Sequence, residues 1–270
     1  MIRTVVVGAG GPRGLDAVAW AAEEAADGDT RLVLIRVCAP ESPLTAFPDE
    51  PPSAALALAD PPLARAVADL RARLGGHRVV MRTPTGAAER VLVLASQTAD
   101  LLVIGAGGSG STTRGILRRA GCPVIVVRGL PGGRGATFAG QVVVAVAGDT
   151  ADGTLRFAFD HADRHGLPVA AMHVAAPGPG PFEATVELLR DRVRPWAEKY
   201  PEVPVRRAVM GGVLAETLSQ AGAGAALLVL GHRRHGVLSR PSSDLTIAAV
   251  ANTDSPVAVV PCGRPEGKFL

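Results

Sequence analysis

Short, continuous apolar runs alternate along this chain with stretches of helical spacing. Residues 2–7 are mostly β-branched and apolar, the pattern of a strand covered on both faces. A glycine-rich turn and an alanine-rich helix at about 15–26 follow. Further apolar runs at 31–37, 78–81, 101–104 and 124–127 predict four more strands. Between them, Leu63, Val67, Leu70 and Leu74 share one helical face. Val91, Leu92 and Ala95 mark a helix over 87–98, and 112–120 predicts another. Residues 40–62 are dense in proline, which a helix interior does not accept. They read as a long surface loop at the end of strand two. It is expected to be the most mobile segment and is placed where it can lid a first-half cleft.

The same order then recurs. Thr4-Val5-Val6-Val7-Gly8 is echoed by Gln141-Val142-Val143-Val144-Ala145. Leu101-Leu102-Val103-Ile104-Gly105 is echoed by Leu227-Leu228-Val229-Leu230-Gly231, and Cys122-Pro123-Val124 by Ser255-Pro256-Val257. Solenoid units run to about 20–50 residues, so a repeat this long marks two whole domains. The second set of strands falls near 142–146, 169–174, 203–209, 226–230 and 257–261. The fold class is α/β: two tandem doubly wound parallel five-stranded sheets with helices on both faces. Domain one covers 1–128, a Gly/Pro-rich linker 129–140, domain two 141–262 and a tail 263–270. Val37 aligns with Val174, 137 residues on, but Gly105 with Gly231, only 126 on. The proline-rich loop of the first half accounts for the difference.

Composition narrows the function. Hydrophobic residues make up 47% and aromatics only 3%, which suits helices packed closely on apolar sheets. A net charge of +3 gives no broad footprint for nucleic acid or membrane surfaces. No apolar stretch reaches the roughly 18 residues of a membrane span, and the first residues do not have the signal-peptide pattern. Cys38, Cys122 and Cys262 sit in dissimilar contexts, so no disulfide framework or metal spacing is apparent and a reducing cytoplasm is expected.

Several phrases, in order and twice over, carry a resemblance. Pro195-Trp196-Ala197-Glu198-Lys199-Tyr200 precedes a strand, and Met210-Gly211-Gly212-Val213-Leu214-Ala215-Glu216 follows one. Thr85-Gly86-Ala87-Ala88-Glu89-Arg90-Val91-Leu92 is the first-half counterpart, and Cys122-Pro123-Val124 opens the closing strand. With these phrases the chain resembles the universal stress proteins in their tandem, actinobacterial form. The resemblance implies a five-stranded parallel sheet per domain and pairing through strand five, either within the chain as a pseudo-dimer or between chains as a homodimer. It also implies a cytoplasmic role in stress tolerance, and many members bind ATP or AMP.

Two loops would build a nucleotide site at the carboxyl ends of the strands. After strand one, nucleotide-binding members usually carry an aspartate two residues after the first glycine. Here Gly8 is followed by Gly10 at that position, and the second half has Ala147. After strand four the family pattern is glycine, two residues, glycine, nine residues, glycine, then Ser or Thr. Glycines there let backbone amides approach phosphate, and a helix start completes an anion nest. The first half offers Gly105, Gly107 and Gly108, with Gly110, Ser111 and Thr112 following almost at once, so most of the nine-residue loop is missing. The second half has Gly231, then after His232 and Arg233 it has Arg234 in place of the second glycine, and Ser243 in place of the last, next to Asp244. In the first half a tight glycine turn is the plainer reading. For His232, Arg233, Arg234 and His235 it is a solvated basic loop, with a cationic substitute for the phosphate loop as the functional one.

His161 and His165 have a spacing that can hold a metal, but no third ligand is apparent, and a surface helix end is the expectation. No catalytic residue, metal or required cofactor is expected, although ATP or AMP remains possible. Three classes of function follow: a non-enzymatic regulatory or scaffolding stress protein with degenerate nucleotide sites, an ATP/AMP sensor using a divergent site, and an enzyme of the wider adenine-nucleotide hydrolase-like superfamily. The first is preferred because no nucleophile with an evident base appears.

Overall fold

The computed structural model describes residues 2–26, 28–106, 110–128, 136–147, 150–175, 182–233 and 250–262. The chain divides into two compact units, Met1–Arg128 and Gly129–Leu270.

The first unit holds strands β1 (Arg3–Gly8), β2 (Thr30–Ile35), β3 (Val79–Arg82), β4 (Leu101–Gly105) and β5 (Val124–Val127). They lie in the order β3-β2-β1-β4-β5, and every pairing is parallel. Burial explains the unbroken apolar runs: Val5, Val7 and Leu101 through Val103 are fully inaccessible, as expected for strands covered on both faces. Helices α1 (Gly14–Glu24), α2 (Ser53–Ala59), α3 (Pro61–Leu74), α4 (Ala88–Ala95) and α5 (Gly110–Arg119) make the connections. The chain runs outward from β1 through β2 to β3 and then returns to place β4 on the other side of β1. The switch point of the sheet is therefore between β1 and β4.

The second unit repeats this with β6 (Val142–Ala145), β7 (Val169–Ala175), β8 (Val205–Gly211), β9 (Leu227–Arg233) and β10 (Val257–Cys262). Its order is β8-β7-β6-β9-β10, again all parallel. The helices described are α6 (Asp152–His165), α7 (Phe182–Lys199) and α8 (Leu214–Gly222). Phe159 is buried beneath Trp196 and Tyr200, with ring centroids 6.5 and 5.8 Å away. Within the stretch read as linker, Phe138 is 1% exposed, and Arg206 lies over its ring at 5.4 Å.

The proline-rich segment departs from the expected loop. It contains a 3₁₀ turn at Pro43–Ala46, all of α2, and the start of α3. The prolines are compatible with these helices because they stand at their entrances. Pro43, Pro61 and Pro62 occupy first-turn positions and Pro52 an N-cap, where no intrahelical N–H is needed. Leu44 and Leu56 are buried. The segment is tied to the outer edge of β3 rather than set over the cleft. The Thr83 N–H donates to Pro48 O at 2.8 Å, and the Met81 N–H to Glu50 Oε2 at 3.3 Å. The buried Thr83 hydroxyl donates toward Phe47 O at 2.7 Å and Leu44 O at 3.2 Å. Arg36 and Asp60 add an ion pair at 2.5 Å. The helices overturn the expectation of a long loop, and no residue of the segment is among those lining the first-unit cavity.

Candidate functional site

A cavity of about 210 Å³ opens at the switch point of the first unit. Its floor is aliphatic: Ile35 and Val37 at the end of β2, and Ile104 near the end of β4. Ala88 and Leu92 of α4 form one wall, and Thr112, Thr113 and Ile116 of α5 the other. Gly8, Gly10, Gly11 and Gly105 bring main chain to its rim. The helix walls can stand close together because Gly115 has no Cβ, which would overlap the Glu89 carboxylate that pairs with Arg119.

The turn from β1 into α1 is built on glycine. Gly11 has φ +80°, a left-handed conformation that L side chains rarely adopt. A Cβ on Gly14 would lie 2.6 Å from the Ala9 carbonyl. Gly105 performs the same service from β4: its Cβ would overlap the Arg13 carbonyl oxygen and sit 2.5 Å from the carbonyl carbon. Its lack of a side chain is therefore already accounted for by packing. Gly10 differs, since a Cβ there meets no heavy atom within 4 Å and its φ lies outside the left-handed range.

The structure brings Gly8, Gly10, Gly105 and Thr112 together around one cavity. Gly110 and Ser111 are exposed in the first turn of α5. Gly107 and Gly108 lie outside the described residues. The sequence reading missed Ile35, Val37, Ala88, Leu92, Ile104, Thr113 and Ile116, because it searched for phosphate chemistry. The signal available was positional: apolar side chains at the carboxyl ends of strands flanking a switch point.

In the second unit the described residues near the ends of β6 and β7 make contacts of their own. The Ala147 N–H donates to Thr150 Oγ1 at 2.7 Å. Arg192 of α7 donates to the Thr150 carbonyl and lies 3.4 Å from Asp152. His173 bonds through Nδ1 to the Val146 carbonyl at 2.8 Å. A Cβ on Gly231 would lie 3.0 Å from Thr154 Oγ1 and 3.1 Å from Cys262 Sγ.

Two basic features stand differently from expectation. β9 continues through Arg233, so His232 is a strand residue, only 3% exposed, and not part of a solvated loop. Parallel pairing of His232 with Pro261 and of Arg233 with Cys262 holds both in the sheet. The Arg233 side chain, Arg234 and Ser243 lie outside the described residues. His161 is likewise buried, with the His165 ring 4.4 Å away. The surface-end expectation fails for His161.

The universal stress protein family matches residues 1–128. Universal stress protein Rv3134c of Mycobacterium tuberculosis is 33% identical over 228 residues, covering 78% of this chain and 81% of its own length. This chain belongs to the universal stress protein family. The first curated relatives it matches are aligned over 63% of their length. Among solved structures, a universal stress protein from Archaeoglobus fulgidus superposes with a TM-score of 0.67, covering 97% of each chain at 13% identity. That likeness is one of fold. A universal stress protein in complex with cAMP matches 46% of this chain and 99% of its own, with 16% identity and a TM-score of 0.36. No helix among the described residues is long and apolar enough to cross a membrane.

Proposed function

We propose that this protein is a non-enzymatic stress protein that works by binding, with nucleotide sites that no longer grip phosphate. One observation carries the reading. Among the described residues, the first-unit cleft is lined by glycines, aliphatic side chains and two threonines, with no charged side chain. Main-chain amides of the loop after β4 would have to hold the phosphates instead, and most of the nine residues that the family pattern places there are missing, so several negative charges would be buried with few partners. Gly10 stands where the family resemblance leads one to expect a carboxylate on the ribose side, and Ala147 stands there in the second unit. Losing one hydrogen bond to a charged group typically costs about 1.5–3 kcal/mol, so several such losses lower affinity by orders of magnitude. The protein is then read as regulatory or scaffolding, acting on protein partners through its surface.

The second reading is an ATP/AMP sensor with a divergent site. It is favoured by Thr112 and Thr113, which bring hydroxyls from the start of α5 to the same cleft. Isothermal titration with ATP and AMP, with and without magnesium, separates the two. The expected outcome is no micromolar binding. Micromolar binding by the unaltered protein would overturn the preferred reading in favour of the sensor.

A further inference from the structure

An edge strand pairs through only half of its main-chain groups, and the other half can accept a further strand. β8 is such an edge. The Val169 N–H donates to Pro204 O at 2.8 Å, and the register from Val169 with Val205 to Ala175 with Gly211 carries that alternation along the strand. Arg206, Ala208 and Met210 therefore turn their N–H and C=O groups toward β7, while Val205, Arg207, Val209 and Gly211 turn theirs outward. No main-chain hydrogen bond reaches these outward groups from any described residue. No residue of β8 is fully buried.

We propose that this edge takes up an extended, acidic segment of a partner protein as an added antiparallel strand; the proposal rests on the scaffolding reading above and names the partner's chemistry. The first unit shows the arrangement within one chain. There the proline-rich segment meets the outward groups of β3, with the Met81 N–H on Glu50 Oε2 and the Thr83 N–H on Pro48 O. The segment passes β3 in the opposite direction and brings a carboxylate to it. No described residue of the second unit takes that place on β8. Charge selects what does. Arg206 is drawn over the Phe138 ring and reaches the Thr137 carbonyl, whereas Arg207 is exposed and has no ion pair among the described residues. An arginine here repels a basic strand, discourages an apolar one and pairs with a carboxylate across the ladder.

Fluorescence anisotropy of the full chain with two labelled synthetic peptides is the test, one of alternating valine and glutamate and one of alternating valine and lysine. The acidic peptide should bind saturably and the basic one at least about tenfold more weakly. Arg207→Glu turns an exposed attraction into a repulsion, so it should weaken the acidic peptide about tenfold and strengthen the basic one. Val209→Pro removes an outward N–H and leaves the ladder to β7 intact, so it should weaken binding several-fold, with thermal unfolding used to verify the fold. Residue-resolved amide exchange needs no variant: the acidic peptide should slow Val205, Arg207 and Val209 and leave Arg206 and Ala208 as they were. Equal binding of the two peptides, or none by the acidic one, would overturn the proposal. Binding with neither the exchange pattern nor an effect of Val209→Pro would reduce it to bare charge attraction and overturn strand addition. Protection of Arg207 and Val209 that grows with protein concentration alone would give the edge to a second copy of this chain, against the proposal. The ATP titration separates the two readings. ATP silence without peptide binding overturns this inference alone, and micromolar ATP binding without peptide binding overturns both.

Discussion

The fourth strands of the two units carry glycine at matching positions, yet Gly105 and Gly231 face different obstacles. Gly105 lies against main chain, the Arg13 carbonyl, whereas Gly231 lies against the ends of two side chains, Thr154 and Cys262. The first glycine fixes the path of a loop, and that loop forms the rim of a cavity. The second is crowded by groups that can turn away. The edges of the sheets differ as well. In the first unit β3 is covered by the proline-rich segment, through Pro48 and Glu50. In the second, β8 has exposed charged side chains at Arg206 and Arg207, a common protection for sheet edges. A duplicated fold has thus met the same local requirements by different means.

The largest expected effect tests the glycines. Gly105→Ala drives a Cβ into rigid main chain and should destabilise the first unit by about 1–3 kcal/mol or more, as overpacked sites do. Gly231→Ala should cost clearly less, because Thr154 and Cys262 can change rotamer. Urea unfolding of both variants measures the gap. Equal losses would erase the distinction between the two sites. Because Gly105 is structural, weaker ligand binding in Gly105→Ala would not by itself locate a binding site.

Thr83→Val addresses the edges. It removes a buried hydroxyl that donates to the Phe47 carbonyl, while the Leu44 carbonyl keeps the Phe47 N–H, at a cost of about 1–3 kcal/mol. Amide exchange should accelerate in residues 42–50 and at Met81 while the second unit is unaffected. In the unaltered protein, the amides of Leu56 and Thr83 should be protected. Exchange there as fast as in free peptide would restore the mobile-loop expectation.

These sites show what sequence could and could not reveal. The strands were legible because a sheet covered on both faces demands unbroken apolar runs, such as Leu101-Leu102-Val103-Ile104. Helix α3 was legible from Leu63, Val67, Leu70 and Leu74, all of which are buried. Helix α2 was hidden because proline density was weighed without regard to position, and Pro52 and Pro61 stand at helix entrances. The end of β9 was hidden because His232 and Arg233 look like loop residues. Their burial depends on pairing with β10, a contact distant in sequence. The role of Gly105 was also hidden, since a phosphate-loop glycine and one pressed against a carbonyl are identical in a sequence. The cleft was only half legible: its glycines were found and its aliphatic floor was not.

The smallest effect at neutral pH concerns the aromatic cluster of the second unit. Tyr200 is the chain's single tyrosine, so its titration reports on that unit alone. Burial pushes its pKa above the ordinary 10.0, and the hydrogen bond to Asp160 adds to the shift. Below pH about 10 the phenol is protonated in both the folded and unfolded chains, so its contribution to stability is complete and flat. Above that pH the unfolded chain releases the proton first. Stability of the second unit should therefore fall until the pH passes the folded value. Phenolate absorbance followed with pH should show the raised transition in folded protein and the ordinary one in urea, and Tyr200→Phe should flatten the stability profile. Coincident transitions would detach Tyr200 from the packing described.

The open space beside Gly10 has a genetic consequence. Any glycine codon becomes an aspartate or glutamate codon by one change at its second base. With no atom within 4 Å of the new Cβ and no left-handed backbone to oppose it, that change requires no accompanying substitution in the fold. An acidic side chain beside the first-unit cavity thus lies one nucleotide away from the present sequence.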